Sequence, residues 1–275
     1  MRSLTGSTPF RTLAGYPGKA TVQPRSKRGF LKSLVIIPTY NERENIDELL
    51  ERVRQALPEG DVLVVDDGSP DGTGDAVEAH RRTDAHVHLM RRAGKAGLGT
   101  AYIAGFNWAL ARDYDVIIGM DADFSHDPAY LPQFVEQSHN HDLVVGSRYV
   151  PGGSTPDWKL SRRIVSRIGN TVARVVLDLP VHDCTTGYKC YRRETLAAID
   201  FGSIELVGYG FLIETTYQCY LAHRSIVEIP ITFIDRREGK SKMTGTIVSE
   251  ALSYVFRRRW RQLRTRLVRR QNAES

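Results

Sequence analysis

The chain has 275 residues, 41% hydrophobic and 25% charged, a composition that supports one large α/β core or two modest domains and excludes disorder throughout. Lys and Arg outnumber Asp and Glu by 38 to 32, a formal net charge of +6, which favours an anionic partner: nucleotide, phosphate, lipid headgroup or nucleic acid. The three cysteines, Cys184, Cys190 and Cys219, lack CxxC spacing and argue against a disulfide framework or structural zinc, fitting a reducing cytosolic setting; no run approaches the ~18–20 apolar residues that span a bilayer.

Residues 1–30, rich in Thr, Ser, Gly, Pro, Arg and Lys without hydrophobic period, read as a flexible leader. Short apolar runs then alternate with helical patterns, and strands are predicted at Leu34–Ile37, Val62–Val65, Val87–Met90, Val116–Ile118 and Leu143–Val145. Such βαβ alternation implies a buried, mostly parallel sheet flanked by helices. The first helix carries Ile46, Leu49, Leu50, Val53 and Leu57 on one face, with Asn41 and Glu44 as cap-like residues and Pro58 and Gly60 as its stop. A second helix follows Gly97-Leu98-Gly99 and turns Ala101, Tyr102 and Phe106 inward, while Pro128 opens a third, with Asp127 as its cap. From about Ser161 to Leu177 a helix gathers Ile164, Val165, Ile168, Val172, Val175 and Val176 on one side and Arg163, Arg167 and Arg174 on another. Two readings stand open for it, a half-buried helix or one lying on an anionic membrane surface. Residues 246–275 form a basic amphipathic helix or tail, with eight arginines between Arg257 and Arg270 interleaved with Trp260, Leu263 and Leu267; no nucleic-acid motif accompanies them.

Four segments fall where strands end, the edge at which open parallel sheets hold ligands. Pro38-Thr39-Tyr40-Asn41-Glu42 follows the first strand. Asp66-Asp67-Gly68-Ser69-Pro70-Asp71-Gly72-Thr73 follows the second; its adjacent carboxylates repel and suit hydrogen bonding to a base or ribose. Asp121-Ala122-Asp123 follows a buried run and offers hard oxygen ligands for a divalent cation beside a diphosphate, with His126 read as a supporting residue rather than a ligand. The cationic set is Gly146-Ser147-Arg148-Tyr149 and, beyond the apolar run Val227–Ile234, Asp235 to Lys242, able to reach phosphates. The polar segment Asp183 to Lys189 reads as a turn, or as part of a phosphate pocket near Arg148.

In this order the segments resemble the family 2 glycosyltransferases with a GT-A nucleotide-sugar-binding fold, and within them the dolichyl- or polyprenyl-phosphate mannose synthases. The similarity runs from about Leu34 to Val255 and is carried by Val35–Glu42, Asp66–Thr73, Gly97–Tyr102, Asp121–His126, Gly146–Tyr149 and Arg236–Lys242. The resemblance implies a GT-A catalytic domain over 31–245. It implies nucleoside contacts from Pro38, Tyr40, Glu42, Val65 and one or both of Asp66 and Asp67. Asp121 and Asp123 would hold Mg²⁺ or Mn²⁺, with Ala122 supplying backbone contacts to the nucleotide sugar. Arg148, Arg236 and Lys242 would grip phosphates, Arg148 with Arg162 or Arg163 at the acceptor. Some relatives carry Gln where this chain has Ser125, which is too short to replace it. The implied reaction moves mannose from GDP-mannose to a polyprenyl phosphate, with inversion. The enzyme would be cytoplasmic and peripheral to the inner face of a membrane, with an integral membrane protein as a further partner and no nucleic acid. UDP-glucose as donor, and a noncatalytic basic membrane-binding adaptor, stand as alternatives.

Overall fold

The structure, a computed structural model, describes residues 29–204, 209–235, 253–262 and 264. Nearly all of the expected leader, Arg236 and Lys242 lie outside the described residues.

Seven strands, β1 (Ser33–Thr39), β2 (Asp61–Asp66), β3 (Val87–Arg91), β4 (Val116–Gly119), β5 (Leu143–Ser147), β6 (Lys189–Arg192) and β7 (Ile226–Pro230), form one sheet in the order β3-β2-β1-β4-β6-β5-β7. Only β6 runs against its neighbours. The strands read as continuous apolar runs because both sheet faces are covered: Leu34 and Ile36 of β1 enter one core, Val35 and Ile37 the other, and all four are fully buried. α3 (Leu98–Leu110) and α7 (Tyr209–Leu221) cover the first face; α1 (Arg43–Ala56), α2 (Thr73–Thr83) and α4 (Leu131–Ser138) cover the second. α5 (Leu160–Leu177), the short α6 (Arg193–Ala197) and α8 (253–262) complete the helices described.

All five predicted strands are present. Asp127 caps a short 3-10 turn, Pro128–Tyr130, accepting from Ala129 N–H at 3.0 Å ahead of α4. The start of α1 departs from expectation. The cap position falls at Glu42, whose side chain makes no cap hydrogen bond; the 66–73 loop caps the helix from outside, Ser69 Oγ accepting from Asn41 N–H, Thr73 Oγ1 from Glu42 N–H and Asp71 Oδ2 from Arg43 N–H, each at 3.0 Å. One loop thus fixes the first two candidate segments against each other. α2 carries no clear sequence period because its buried positions are Thr73, Gly74 and Val77, too few apolar residues to show a stripe.

α5 is half-buried, but not through its Ile/Val stripe. Its inward residues are Ser166, Asn170, Ala173 and Leu177, while Ile168 is 57% exposed and Val175 71%. The polar inner face has bonding work: Asn170 Nδ2 donates to Thr185 Oγ1 at 3.1 Å and Asn170 Oδ1 accepts from Cys184 N–H at 2.8 Å, while Ser166 Oγ lies 2.6 Å from the Tyr149 hydroxyl. α8 docks on α7 through buried Val255 and through Tyr254 and Arg258, which donate to Glu214; Phe256 and Trp260 face outward. Among the described residues no helix is long and apolar enough to cross a membrane.

Candidate active site

The register places the functional segments along one sheet edge. Thr39 of β1 pairs with Asp66 of β2, which pairs with Arg91 of β3, and β4 ends at Gly119 just before Asp121. Because β6 is antiparallel, its start meets that same edge, Lys189 lying beside Gly119 on one side and Val145 on the other. Residues 183–188 are therefore delivered to the carboxyl ends of β4 and β5.

On the β1–β3 side the adjacent carboxylates are compensated separately. Asp66 accepts from Thr39 Oγ1 at 3.1 Å, Ser69 N–H at 3.1 Å and Ser69 Oγ at 2.5 Å, so it organises the turn. Asp67 meets Arg92, Oδ1 to Nη1 at 2.8 Å, an ion pair too poorly aligned to count as a hydrogen bond. Arg92 is anchored by its own N–H on Asp66 O and by Nη2 on Thr100 Oγ1, both at 2.8 Å. Pro38, Tyr40 and Glu42 are half-buried beside this pair, and Lys95 lies over the Tyr40 ring at 4.6 Å. Val65 is fully buried beneath α3, against Gly105, under the site.

Asp121 and Asp123 follow β4. Asp121 is one-third exposed, and its Oδ1 accepts from the Tyr102 hydroxyl at 3.3 Å. Tyr102 comes from α3, wholly buried, and reaches the loop between Gly119 and Gly187, where a Cβ would lie 2.8 Å from its ring and 3.4 Å from its hydroxyl. Burial and then the Asp121 charge hold the Tyr102 hydroxyl well above its ordinary pKa, so it stays a donor. His126, 1% exposed, accepts the Asp121 backbone N–H on Nδ1 at 3.0 Å; burial lowers its pKa against the pull of Asp121 and Asp123. It therefore supports the loop as a neutral imidazole, as its reading in the sequence had it. Asp123 Oδ1 accepts from Ser125 Oγ at 2.5 Å and from Ser125 N–H at 3.2 Å, and Phe124 between them holds φ of 59°, a costly backbone conformation for an aromatic residue. Two hard carboxylates at a strand end suit a divalent cation that completes its shell from diphosphate oxygens and water, and no third His, Cys, Asp or Glu joins them among the described residues.

The cationic side is built around an ion pair. Arg148 donates Nε and Nη2 to Asp183 Oδ2 and Oδ1, each at 2.7 Å, and its backbone N–H to Oδ2 at 3.0 Å. Both side chains are buried. Burial would raise the Asp183 pKa, but the Arg148 charge and hydrogen bonds bring it below the usual carboxylate value. The Asp183 turn is pinned in turn by Glu228 of β7, which accepts from the backbone N–H groups of His182 and Asp183 at 2.9 and 3.0 Å. Tyr149, Trp158 and Phe233 lie around the Arg148 guanidinium at 5.2–5.4 Å. Phe233 also meets His126 edge-on at 5.6 Å, so one contact links the Asp121 loop to the Arg148 cluster. Arg162 binds Asp235, whereas Arg163 braces the 155–156 loop by donating to the carbonyls of Thr155 and Pro156. A cleft of about 400 Å³ opens here, lined by Arg148, Tyr149, Thr155, Leu160, Arg163 and Arg167 among others.

Sequence reasoning missed Arg92, Tyr102, Trp158 and Glu228 as parts of this site. The one available signal was Tyr102, which sits within the Gly97–Tyr102 segment that carried the resemblance.

The family model described as glycosyl transferase family 2 matches residues 34–199. Similar curated proteins include an undecaprenyl-phosphate mannosyltransferase of Micrococcus luteus, 50% identical over 86% of this chain and 99% of the relative. A polyprenol monophosphomannose synthase of Mycolicibacterium smegmatis is 46% identical over 86% of this chain and 88% of its own. A dolichol-phosphate mannosyltransferase of Pyrococcus furiosus is 35% identical over 82% of this chain, which spans 63% of that protein. Among solved structures, glucosyl-3-phosphoglycerate synthase from Mycobacterium tuberculosis in complex with Mn²⁺, uridine diphosphate and glucosyl-3-phosphoglycerate superposes with a TM-score of 0.65 at 18% identity, over 91% of this chain and 88% of that one. That similarity is one of fold.

Proposed function

This chain belongs to glycosyl transferase family 2, and on that premise we propose that it transfers mannose from GDP-mannose to a polyprenyl phosphate, giving polyprenyl-phosphate β-mannose and GDP. The observation that carries the reading is the juxtaposition of a carboxylate pair, Asp121 and Asp123, with the Arg148 cluster across His126 and Phe233, on one sheet edge. The half-identical relative that acts on undecaprenyl phosphate supports the lipid acceptor and the sugar.

A bound Mg²⁺ or Mn²⁺ would supply Lewis acidity toward the leaving diphosphate. Asp121 and Asp123 would hold that cation, Tyr102 and His126 fixing the first and Ser125 the second. Asp67 with Arg92, and the half-buried surface of Pro38, Tyr40 and Glu42, would orient the nucleoside. The acceptor is a phosphate monoester with a second pKa of about 6, already largely a dianion at neutral pH, so no protein base is required. One of its oxygens forms a bond to the anomeric carbon as the bond to the GDP oxygen breaks and GDP leaves with the electron pair. A single displacement of this kind inverts the α-linked donor to a β product. The work of the chain is positioning and electrostatic stabilisation, with Arg148, Arg162, Arg163 and the segment carrying Arg236 and Lys242 as the cations.

The lipid acceptor calls for access to a membrane surface. The outward Leu160, Ile164, Val165, Ile168 and Val175 of α5, and Phe256 and Trp260 of α8 among exposed Arg257, Arg261 and Arg264, support a peripheral placement on an anionic, cytoplasmic leaflet. The test is transfer of radiolabelled mannose from GDP-mannose to polyprenyl phosphate in detergent, with and without Mg²⁺ or Mn²⁺, beside UDP-glucose. Metal-dependent labelled lipid from GDP-mannose is expected; product from UDP-glucose alone would replace the sugar.

A further inference from the structure

Buried hydrogen-bond donors are nearly always paired, so two orphans in one cluster call for a ligand. The Trp158 indole is 4% exposed, yet among the described residues its Nε1–H meets no acceptor. Arg162, in the first turn of α5, lies with its guanidinium carbon 4.0 Å from the centre of that indole, and its Nε is also buried without an acceptor among the described residues. The neighbouring carboxylates are engaged elsewhere. Both oxygens of Asp235 bond Nη1 of Arg162, at 2.9 and 2.8 Å, which leaves the Nε edge of the guanidinium, while Asp183 is committed to Arg148.

Every unpaired group here is a donor, and the Arg148 guanidinium lies 5.4 Å from the same indole. A hydroxyl or carbonyl ligand would not need two cations; a phosphate, with several acceptor oxygens, uses all of them. We propose that Trp158 is an anion-contacting residue of the acceptor site, its indole N–H and the Nε edge of Arg162 together receiving oxygens of the acceptor's phosphate monoester. This rests on the lipid-phosphate reading above. The acceptor is preferred over the donor diphosphate because of where Trp158 sits. Thr155, Pro156 and Leu160 on either side of it line the cleft, and the apolar part of that lining, Leu160 and Ile164, continues onto the exposed face of α5. A phosphate carried on a hydrocarbon chain matches that sequence of surfaces.

The experiment compares wild type with Trp158→Phe, and with a chain carrying benzothienylalanine at position 158, which keeps the ring shape and lacks the N–H. Three quantities are read: KM for the polyprenyl phosphate, KM for the donor, and the affinity of inorganic phosphate and of farnesyl phosphate by calorimetry without donor. Both variants are expected to raise the acceptor KM about tenfold, to weaken both phosphate ligands by a similar factor and to leave the donor KM unchanged, since one hydrogen bond to a charged group is lost. Acceptor and phosphate affinities within twofold of wild type in the benzothienyl chain would overturn the assignment, whatever Trp158→Phe does through packing. A rise confined to the donor KM would overturn it too, placing the indole on the diphosphate. Wild-type protein that transfers no sugar to polyprenyl phosphate would sink the lipid-acceptor reading instead, and the inorganic phosphate arm would still decide whether position 158 contacts an anion.

Discussion

The two ends of the site are held by different means. Around β1–β4 each functional group rests on several modest contacts: Asp66 on Thr39 and Ser69, Asp123 on Ser125, Asp121 on Tyr102 and His126. Around β5–β7 one buried ion pair, Arg148 with Asp183, carries most of the organisation, and Glu228 fixes it from a third strand. Distributed contacts tolerate the loss of one member. A buried pair does not, because removing one partner leaves a desolvated charge behind. On the proposed reading the β1–β4 end is the donor side and the β5–β7 end the acceptor side, so the donor side is expected to fail in chemistry while the fold survives, and the acceptor side to fail in both.

The largest expected effect is on chemistry. Asp123→Ala should lower mannose transfer by about 10³-fold or more, since on the proposed reading it removes one of the two carboxylates that hold the cation at the leaving diphosphate. Its thermal midpoint should stay near that of wild type, because the hydrogen bonds Asp123 accepts from Ser125 lie within one loop and hold no core element in place. Full activity with unchanged metal dependence would remove the cation from this pair.

Asp183→Asn comes next. It removes the carboxylate charge paired with the buried Arg148 guanidinium, and the cost expected is about 3–5 kcal/mol, read from urea unfolding. The KM for the acceptor should rise as well, since the guanidinium loses its fixed orientation beside the cleft. A stable variant with an unaltered acceptor KM would show that the clamp serves neither fold nor acceptor.

The same contrast governs what could be read from the residues alone. The carboxylates Asp66, Asp67, Asp121 and Asp123 were legible because the donor side is written in contiguous segments at strand ends, where topology fixes their place. The clamp was legible only in part: the 183–189 segment read either as a turn or as part of a pocket near Arg148, but the antiparallel β6 that fixes Asp183 there, and Glu228 on β7 behind it, are announced by no alternation of strand and helix. α5 was legible as a helix and misleading as to its face. An Ile/Val stripe ordinarily marks the buried side, but here the inner side is committed to hydrogen bonds with the 183–185 turn and Tyr149. Val65 came to the nucleoside list through the resemblance alone, since the pleat sends its side chain into the core beneath α3, where composition and spacing read it as an ordinary strand residue.

Tyr102→Phe tests the distributed side. The wholly buried hydroxyl orients one oxygen of Asp121, so its removal should weaken Mn²⁺ binding about tenfold, measured by electron paramagnetic resonance with GDP present. Phe106→Leu, which trims the ring stacked on Tyr102 but touches no carboxylate, should leave that constant unchanged even where it lowers the melting temperature. Equal Mn²⁺ affinity in Tyr102→Phe and wild type would make the tyrosine a packing residue only.

The smallest effect on the fold belongs to the exposed stripe of α5. Ile168→Asn changes a side chain that touches mostly solvent, so stability should move by no more than about 0.5 kcal/mol. Were Ile168 packed in a core, the same change would cost several times that, as loss of a buried isoleucine does. Sedimentation with vesicles containing anionic lipid supplies the second readout: bound protein should fall several-fold, because an isoleucine entering the headgroup boundary contributes through its buried apolar area. An unfolding curve and a vesicle isotherm that both match wild type would leave the stripe exposed and without a partner. A lowered unfolding midpoint would mean instead that α5 turns its apolar side inward, with the polar contacts of Ser166 and Asn170 to Tyr149 and the 183–185 turn broken.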